Sequence, residues 1–197
     1  MTPGVPFPGE VGAAVLVGGQ SSRFGRDKVL LEVDGEPLVK RSITLLSSLF
    51  SDVLVIGHDR PEFHILGIRA IEDLIPGKGS LGGLYTAVMT AGTPAVFVMA
   101  ADMPFVSASL IDQVVRMRGG VDAVIPRGPT GFEPLCALYS RSCAAPMKKA
   151  IDKGSFRIMA ALEGLKITNP EIMTVEGEGD PFANINTPED WERLADP

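Results

Sequence analysis

The feature of this sequence that most constrains its fold is an apolar run that passes directly into a glycine-rich segment. Residues 11–17 are almost wholly apolar and show no helical period, which is typical of a strand buried on both faces of a parallel sheet. Residues 18–25 are rich in glycine and follow at once. This order predicts an open α/β sheet, and such sheets bind ligands beyond the carboxyl ends of their strands.

The rest of the chain alternates between strand-like and helix-like patterns. Apolar residues recur every three or four positions over residues 38–50, as in an amphipathic helix. The alternation predicts one domain over residues 1–197, with a Rossmann-like, doubly wound, mostly parallel sheet and helices on both faces. Further helices are predicted around residues 81–88 and 110–115 and from Thr187 onward, and further strands at 52–56, 68–72, 95–100, 122–125 and 135–139, the last of which could run antiparallel.

Composition excludes several classes of protein and site. The net charge of -6 argues against a nucleic-acid partner, because such proteins usually need a basic face to neutralise phosphates. The two cysteines form no CxxC pair, so zinc and iron-sulfur sites are not expected, and Cys136 between apolar neighbours is predicted to be a buried small hydrophobe. No secretory signal and no apolar stretch of about 20 residues is evident, which favours a cytoplasmic protein without a membrane partner.

The glycine-rich segment carries the chemistry expected of a phosphate-binding loop. Glycines let backbone amides converge on an anion, and the hydroxyls of Ser21 and Ser22 add donors. Neither GxGxxG nor the Walker spacing is present in this segment. A tight structural turn remains the alternative interpretation, although a cluster of positive charge in an acidic chain favours phosphate. The cations of this segment are Arg23, Arg26 and Lys28.

Two carboxylates are predicted to lie at strand ends in the same crevice. Asp102 follows the apolar run 96–100 and precedes Met103-Pro104, and Asp73 follows the predicted strand at 68–72. A Mg²⁺ ion usually takes one or two protein carboxylates together with substrate phosphates and water. Asp102 is therefore a candidate metal ligand, although an Asp in this position could also cap a helix or form a turn.

At the glycine-rich loop the sequence resembles the molybdenum cofactor guanylyltransferases, whose signature is Leu-x-Gly-Gly followed by Arg, Gly and a closing Asp-Lys. The resemblance implies a nucleotidyltransferase fold and a loop that wraps a triphosphate, with Arg23 and Lys28 as catalytic cations that neutralise charge as pyrophosphate leaves. It also implies that Leu16 and Gly18 contact the base and ribose. The matching residues are Leu16, Gly18, Gly19, Arg23, Gly25, Asp27 and Lys28.

The resemblance extends along most of the chain. The family's Asp-x-Pro motif falls on Asp102, which implies a catalytic role and makes it the Mg²⁺ ligand, and the family's nucleotide-contacting aspartate matches Asp73. Residues 79–83 resemble its Gly-Pro-Leu-Ala-Gly loop, with Ser80 and Gly82 in place of proline and alanine. Together the loop and the resemblance predict a nucleotide-binding set of Leu16, Val17, Gly18, Gly19, Ser21, Lys28, Asp73, Gly83 and Asp102.

Two motifs in the C-terminal half imply an acceptor site. Residues 134–139 resemble the family's Pro-Leu-x-Ala-Leu-Tyr stretch, and residues 184–188 match its Asn-x-Asn-Thr-Pro stretch. The amides of Asn184 and Asn186 can both donate and accept hydrogen bonds, as recognition of a polar pterin or its phosphate requires. An Asn-rich turn before the last helix is the alternative. The N-terminal half is thus expected to bind the nucleotide and the C-terminal half the acceptor.

The activity that the resemblance implies is transfer of GMP from GTP to the terminal phosphate of molybdopterin, with Mg²⁺ as cofactor. GTP and molybdopterin are then the partners, and transient contact with cofactor-delivery proteins or molybdoenzymes is left open. Resemblance to the CTP-dependent molybdopterin cytidylyltransferases would imply Ala in place of one glycine of the Gly18-Gly19 pair, so the pair favours GTP.

Three other classes of protein fit the sequence less well. Sugar-phosphate and lipid-precursor nucleotidyltransferases share the loop pattern but lack the Asn-x-Asn-Thr-Pro ending. A nucleotide-binding regulator without turnover is disfavoured because Arg23, Lys28 and Asp102 are all retained. The loop after the first strand lacks the GxGxxG spacing, which disfavours a nicotinamide-dependent oxidoreductase.

Overall fold

A computed structural model describes residues 7, 9–18, 30–33, 35–172 and 180–185 of the chain. Its described part is built on a six-stranded sheet in the order β10-β6-β9-β5-β1-β4. The strands are β1 Val11–Leu16, β2 Glu32–Val33, β3 Glu36–Pro37, β4 Val53–Ile56, β5 Ala95–Ala100, β6 Ala123–Val124, β7 Arg127–Gly128, β8 Gly131–Phe132, β9 Cys136–Ser140 and β10 Ile167–Thr168. The α-helices are α1 Leu38–Ser47, α2 Pro61–Ile65, α3 Gly79–Thr90, α4 Ala108–Arg116, α5 Ala144–Asp152 and α6 Ile158–Ala161.

The pairing of the central strands brings three loops to one edge of the sheet. β1 runs parallel to both β4 and β5, with Leu16 opposite Ile56 on one side and Ala100 on the other. Because parallel strands share the direction of their carboxyl ends, the segments after these three strands begin side by side. These segments start at Val17, Gly57 and Ala101.

Both faces of the sheet are covered, as the near-continuous apolar strands predict. Alternate residues of β1 point to opposite sides, so that Val15 belongs to one buried cluster and Ala14 to the other. Helices α1 and α4 contribute to the first cluster, and α3, α5 and α6 contribute to the second. The predicted mostly parallel α/β sheet with helices on both faces is therefore confirmed.

The predicted β9 is also confirmed, including its direction. It pairs antiparallel with β5 on one side and with β6 on the other, and its residues 136–139 are buried. The buried Cys136 side chain is fully enclosed, and this burial raises the pKa of its thiol. Cys136 is thus the buried small hydrophobe that its apolar neighbours indicate, with little thiolate available for reaction.

The strand predicted at residues 68–72 is wrong, because the structure has only a single bridge there, between Ile71 and Ile56. The backbone N–H of Ala70 donates to the carboxylate of Asp59 at 3.1 Å. This donor is therefore used by a side chain and is lost to a strand ladder. Ile71 still donates to Val55 and accepts from Gly57, so the segment follows the edge of the sheet and delivers Asp73 to it.

Three of the described α-helices, α2, α5 and α6, lie where the sequence predicts none. Helix α5 begins with Ala144-Ala145-Pro146, and a proline is tolerated in the first turn of a helix because its missing N–H has no intrahelical partner there. The short α6 follows it on the same face of the sheet. The final helix predicted from Thr187 lies outside the described residues. Among those that are described, no helix is long and apolar enough to cross a membrane.

Candidate active site

A cleft of about 530 Å³ opens at the carboxyl edge of β1, β4 and β5. Its walls come from the three segments that leave these strands, from the start of α3 and from the residue before β9. Small residues dominate the lining, so backbone is accessible over much of the surface. The lining consists of Leu16, Gly18, Ile56, Gly57, Asp73, Gly77, Gly79, Ser80, Gly83, Ala100, Ala101, Asp102 and Leu135.

Asp102 lines this cleft, two residues beyond the end of β5. Its position is fixed through the backbone, because its carbonyl accepts a hydrogen bond from the N–H of Ile185 at 3.0 Å. The side chain is only partly buried. A carboxylate at the open end of a strand, beside backbone of small residues, is accessible to a cation or a phosphate-bound metal.

Asp73 lies in the wall of the cleft near the start of α3. The atom Oδ1 is buried and has no hydrogen-bond partner within the described part of the chain. Burial raises the pKa of the Asp73 carboxyl above its ordinary value. A buried acceptor without a donor is costly, and ligands often satisfy such groups at binding sites. Asp73 is therefore a candidate to accept hydrogen bonds from a ligand.

Two glycines of α3 border the Asp73 carboxylate. A Cβ at Gly83 would lie 3.6 Å from Oδ1 of Asp73 and 3.7 Å from the methyl groups of Leu16, which is ordinary contact. Packing therefore does not require glycine at position 83. The absence of a side chain there leaves space in the cleft beside Leu16 and Asp73. At Gly82 a Cβ would lie 3.0 Å from that of Lys78 and 3.2 Å from the carbonyl of Ile75, which is tight. A side chain at position 82 would therefore need small shifts of Lys78 and Ile75, and glycine avoids them.

The structure brings most of the described members of the predicted nucleotide-binding set together along the cleft. Leu16, Gly18, Asp73, Gly83 and Asp102 all line it. Val17 does not: its side chain is buried in the core and its N–H donates to the carbonyl of Ile56. The remaining candidates of the glycine-rich loop lie outside the described residues and are Gly19, Ser21, Arg23 and Lys28.

The C-terminal segment 180–185 packs beside Asp102 through the hydrogen bond from Ile185. Phe182 anchors it, since that ring is buried so close to Gly128 that a Cβ there would lie 2.6 Å from it. Asn184 is half-buried between these two anchored residues. The predicted acceptor residue Asn184 is therefore the neighbour of Ile185, whose backbone is hydrogen-bonded to Asp102. Asn186 lies outside the described residues.

Gly57 is a lining residue that the sequence analysis missed. It has a φ of +142°, and a Cβ would lie 2.9 Å from Cγ2 of Val17 and 3.2 Å from the backbone N of Gly18. Glycine is therefore required where the segments after β1 and β4 touch. The sequence does contain a signal for this role. Gly57 comes directly after the predicted strand at 52–56, much as Gly18 comes shortly after β1.

We expect Gly57→Ala to destabilise the protein by about 1 to 3 kcal/mol, because the new methyl group must displace backbone next to Gly18. Thermal unfolding followed by circular dichroism measures the change. Gly131→Ala is the matched control: its φ is +140°, and a Cβ there meets nothing within 4 Å. Equal losses in the two variants would mean that backbone strain alone accounts for the effect and that the contact with Gly18 contributes nothing.

Comparison with known proteins gives consistent results. A probable molybdenum cofactor guanylyltransferase of Chloroflexus aggregans is 35% identical over 188 residues, covering 89% of each chain. A molybdenum cofactor guanylyltransferase of Desulfosudis oleivorans is 31% identical and covers 91% of each chain. Among solved structures, molybdopterin-guanine dinucleotide biosynthesis protein A from Archaeoglobus fulgidus superimposes with a TM-score of 0.78 at 30% identity, covering 93% of this chain and 96% of that one.

A family model also matches, and it spans the cleft. The model describes the MobA-like NTP transferase domain and covers residues 13–166. That range includes most of β1, all of β4 and β5, the start of α3 and both cleft carboxylates. The chain is therefore a nucleotidyltransferase that belongs to the MobA-like NTP transferase family.

Proposed function

We propose that this protein transfers GMP from GTP to the terminal phosphate of molybdopterin, as a molybdenum cofactor guanylyltransferase. The observation that carries the proposal is the buried Oδ1 of Asp73, which has no hydrogen-bond partner among the described residues and lies in the wall of a cleft that Asp102 also lines. The first carboxylate suits a base that offers hydrogen-bond donors. The second suits the metal that accompanies a nucleoside triphosphate.

Guanine fits Asp73 better than other bases do. Its N1–H and 2-amino group are adjacent donors, and an ionised carboxylate is an acceptor at both oxygens. Cytosine and adenine each place a ring acceptor beside their amino group, so one carboxylate oxygen would face a lone pair. Leu16 offers an apolar surface for the base, and Gly83 leaves space for its approach. Base selection is thus assigned to Asp73 in addition to the Gly18-Gly19 pair.

A magnesium ion would be held by Asp102. The donor set fits, because a partly exposed carboxylate at a strand end supplies the hard oxygen that Mg²⁺ prefers. No cluster of three or more potential metal-ligating side chains occurs among the described residues, and an ion that takes its other ligands from phosphates and water does not require one. When bound, the ion would neutralise charge on the phosphate oxygens.

The transfer step needs no covalent enzyme intermediate. An oxygen of the terminal phosphate of molybdopterin forms a bond to the α-phosphorus of GTP. The bond from that phosphorus to the oxygen that bridges the α- and β-phosphates breaks, and pyrophosphate leaves with the electron pair. The contribution of the chain is alignment of two anions and neutralisation of the charge that builds on the leaving group. Arg23 and Lys28 are proposed for the neutralisation.

The acceptor is proposed to bind on the other side of Asp102 from Asp73. Segment 180–185 is fixed to the Asp102 backbone, and Asn184 stands on it with amide groups that can meet a pterin or a phosphate. Asn186 would extend the same surface. This division assigns the nucleotide to the N-terminal half of a single domain and the acceptor to the C-terminal half.

We expect Asp73→Asn to weaken GTP binding by about 10- to 100-fold, because an amide returns only one acceptor and places a donor against a donor. Calorimetric titration of the magnesium complex of GTP measures this. The fold should be no less stable at pH 7. Burial raises the pKa of Asp73, so its ionised form is penalised in the folded state above the unfolded pKa, and the neutral amide removes that penalty.

Glu72→Gln is the matched control. Glu72 is the neighbouring carboxylate and is exposed, with His58 3.4 Å away. The Glu72→Gln variant should bind GTP with the same affinity as the unmodified protein. If Asp73→Asn binds GTP normally, or gains no relative affinity for CTP, then Asp73 does not select the base and the proposal loses its main support.

A further inference from the structure

Thr86 is one of two polar residues that are buried in the described part of the chain, and both of its hydroxyl bonds serve the cleft wall. The hydroxyl donates to the carbonyl of Gly82 at 2.9 Å, one turn earlier in α3. It also accepts from the backbone N–H of Leu74 at 3.0 Å. A single buried side chain therefore joins α3 to the loop that precedes it.

The loop contact determines where Asp73 lies. The N–H of Leu74 belongs to the peptide unit that begins with the carbonyl carbon of Asp73, so a bond to that N–H fixes the plane next to the Asp73 Cα. Oδ1 of Asp73 has no hydrogen-bond partner of its own among the described residues. The orientation of the carboxylate is therefore set by its backbone and by the space that Gly82 and Gly83 leave beside it.

Thr86 contacts both the backbone next to Asp73 and one of these two glycines. Its hydroxyl bonds the carbonyl of Gly82, which is one of the two glycines beside the Asp73 carboxylate, as well as the residue that follows Asp73. A hydroxyl that only completes its own helix would make the first bond and not the second. Thr90 is such a case, because its hydroxyl donates to the carbonyl of Thr86 at 2.7 Å and makes no other hydrogen bond among the described residues.

We infer that Thr86 is a positioning residue for base selection, which holds the Asp73 carboxylate in the orientation that accepts the 2-amino group of guanine. This inference rests on the proposed function. It adds a residue that does not line the cleft and that the spacing of the known motifs does not reveal. Its effect on the ligand passes entirely through Asp73.

The test compares GTP with inosine triphosphate, which differs from GTP only in lacking the 2-amino group. Both are titrated as magnesium complexes into the full chain by calorimetry. We expect the unmodified protein to prefer GTP by about tenfold or more, since one buried hydrogen bond is at stake. Thr86→Val should bring this ratio close to that of Asp73→Asn. Thr86→Ser, which keeps the hydroxyl, and Thr90→Val, the matched control, should leave it unchanged.

A double variant separates positioning from general damage to the helix. If Thr86 acts through Asp73, adding Thr86→Val to Asp73→Asn should not lower the GTP to inosine triphosphate ratio any further. A merely structural role would lower affinity for both nucleotides without changing their ratio. If Thr86→Val does not fold, Thr86→Ala takes its place with the same expectations.

The outcomes distinguish this inference from the proposal on which it rests. If Asp73→Asn removes the preference for GTP while a folded Thr86→Val keeps it, the role of Thr86 is overturned and base selection by Asp73 stands. If both variants keep the preference, Asp73 does not read the 2-amino group, and the proposed base recognition fails together with the inference.

Discussion

Asp102→Ala should fold normally and lose magnesium-dependent turnover by about 10³-fold or more, in line with the loss of a major electrostatic contribution to phosphoryl transfer. Its side chain is only partly buried, and the hydrogen bond from Ile185 is to its backbone, so alanine keeps the anchoring of segment 180–185. Initial rates of pyrophosphate release over a range of Mg²⁺ concentrations measure the loss, and circular dichroism tests the fold.

Asp112→Ala is the control for removal of an acidic residue. Asp112 lies on α4 in an exposed pair with Arg116, and its loss should leave turnover unchanged. Near-normal turnover in Asp102→Ala would contradict the assignment of Asp102 as a metal ligand. Recovery of the rate at high Mg²⁺ would instead support it, because weaker binding of the ion would then limit the variant.

Lys28→Ala should lower turnover by about 100-fold while changing the affinity for GTP far less. The charge that Lys28 is proposed to meet grows as pyrophosphate leaves, so its contribution is larger in the transition state than in the ground state. Single-turnover rates with saturating GTP and molybdopterin give the first quantity, and calorimetric titration with GTP gives the second.

Lys148→Ala serves as the matched control, since Lys148 is a surface cation on α5 paired with Asp152. It should affect neither measurement. If Lys28→Ala weakens GTP binding as much as it lowers turnover, Lys28 only holds the substrate. The neutralisation of the leaving group would then belong to Arg23 alone.

The central strands were predictable because burial on both faces produces apolar runs that few other structures share. β1 and β5 appear in the sequence as such runs, and both lie in the middle of the sheet. The edge segment at 68–72 was not predictable, because the competing hydrogen bond from Ala70 depends on Asp59, eleven residues away in the chain. Similarly, α5 and its Pro146 give no clear periodic pattern, and the helix depends on packing against α3.

The site was predictable where it depends on residue type at a strand end and unpredictable where it depends on contacts. Asp73 and Asp102 follow apolar runs, and a parallel sheet places such residues at one edge. Gly57 and Thr86 gave no comparable signal. The need for glycine at position 57 arises from Val17 and Gly18, some forty residues earlier, and the second bond of Thr86 reaches Leu74 across a turn.

The most direct test of the account is to identify the product that the protein makes. The purified chain is incubated with Mg²⁺, molybdopterin and one nucleoside triphosphate at a time, and the products are separated and weighed by mass spectrometry. The account predicts that GTP alone gives substantial amounts of molybdopterin guanine dinucleotide, together with pyrophosphate. A cytosine dinucleotide as the main product, or no nucleotidyl transfer to molybdopterin with any nucleotide, would contradict it.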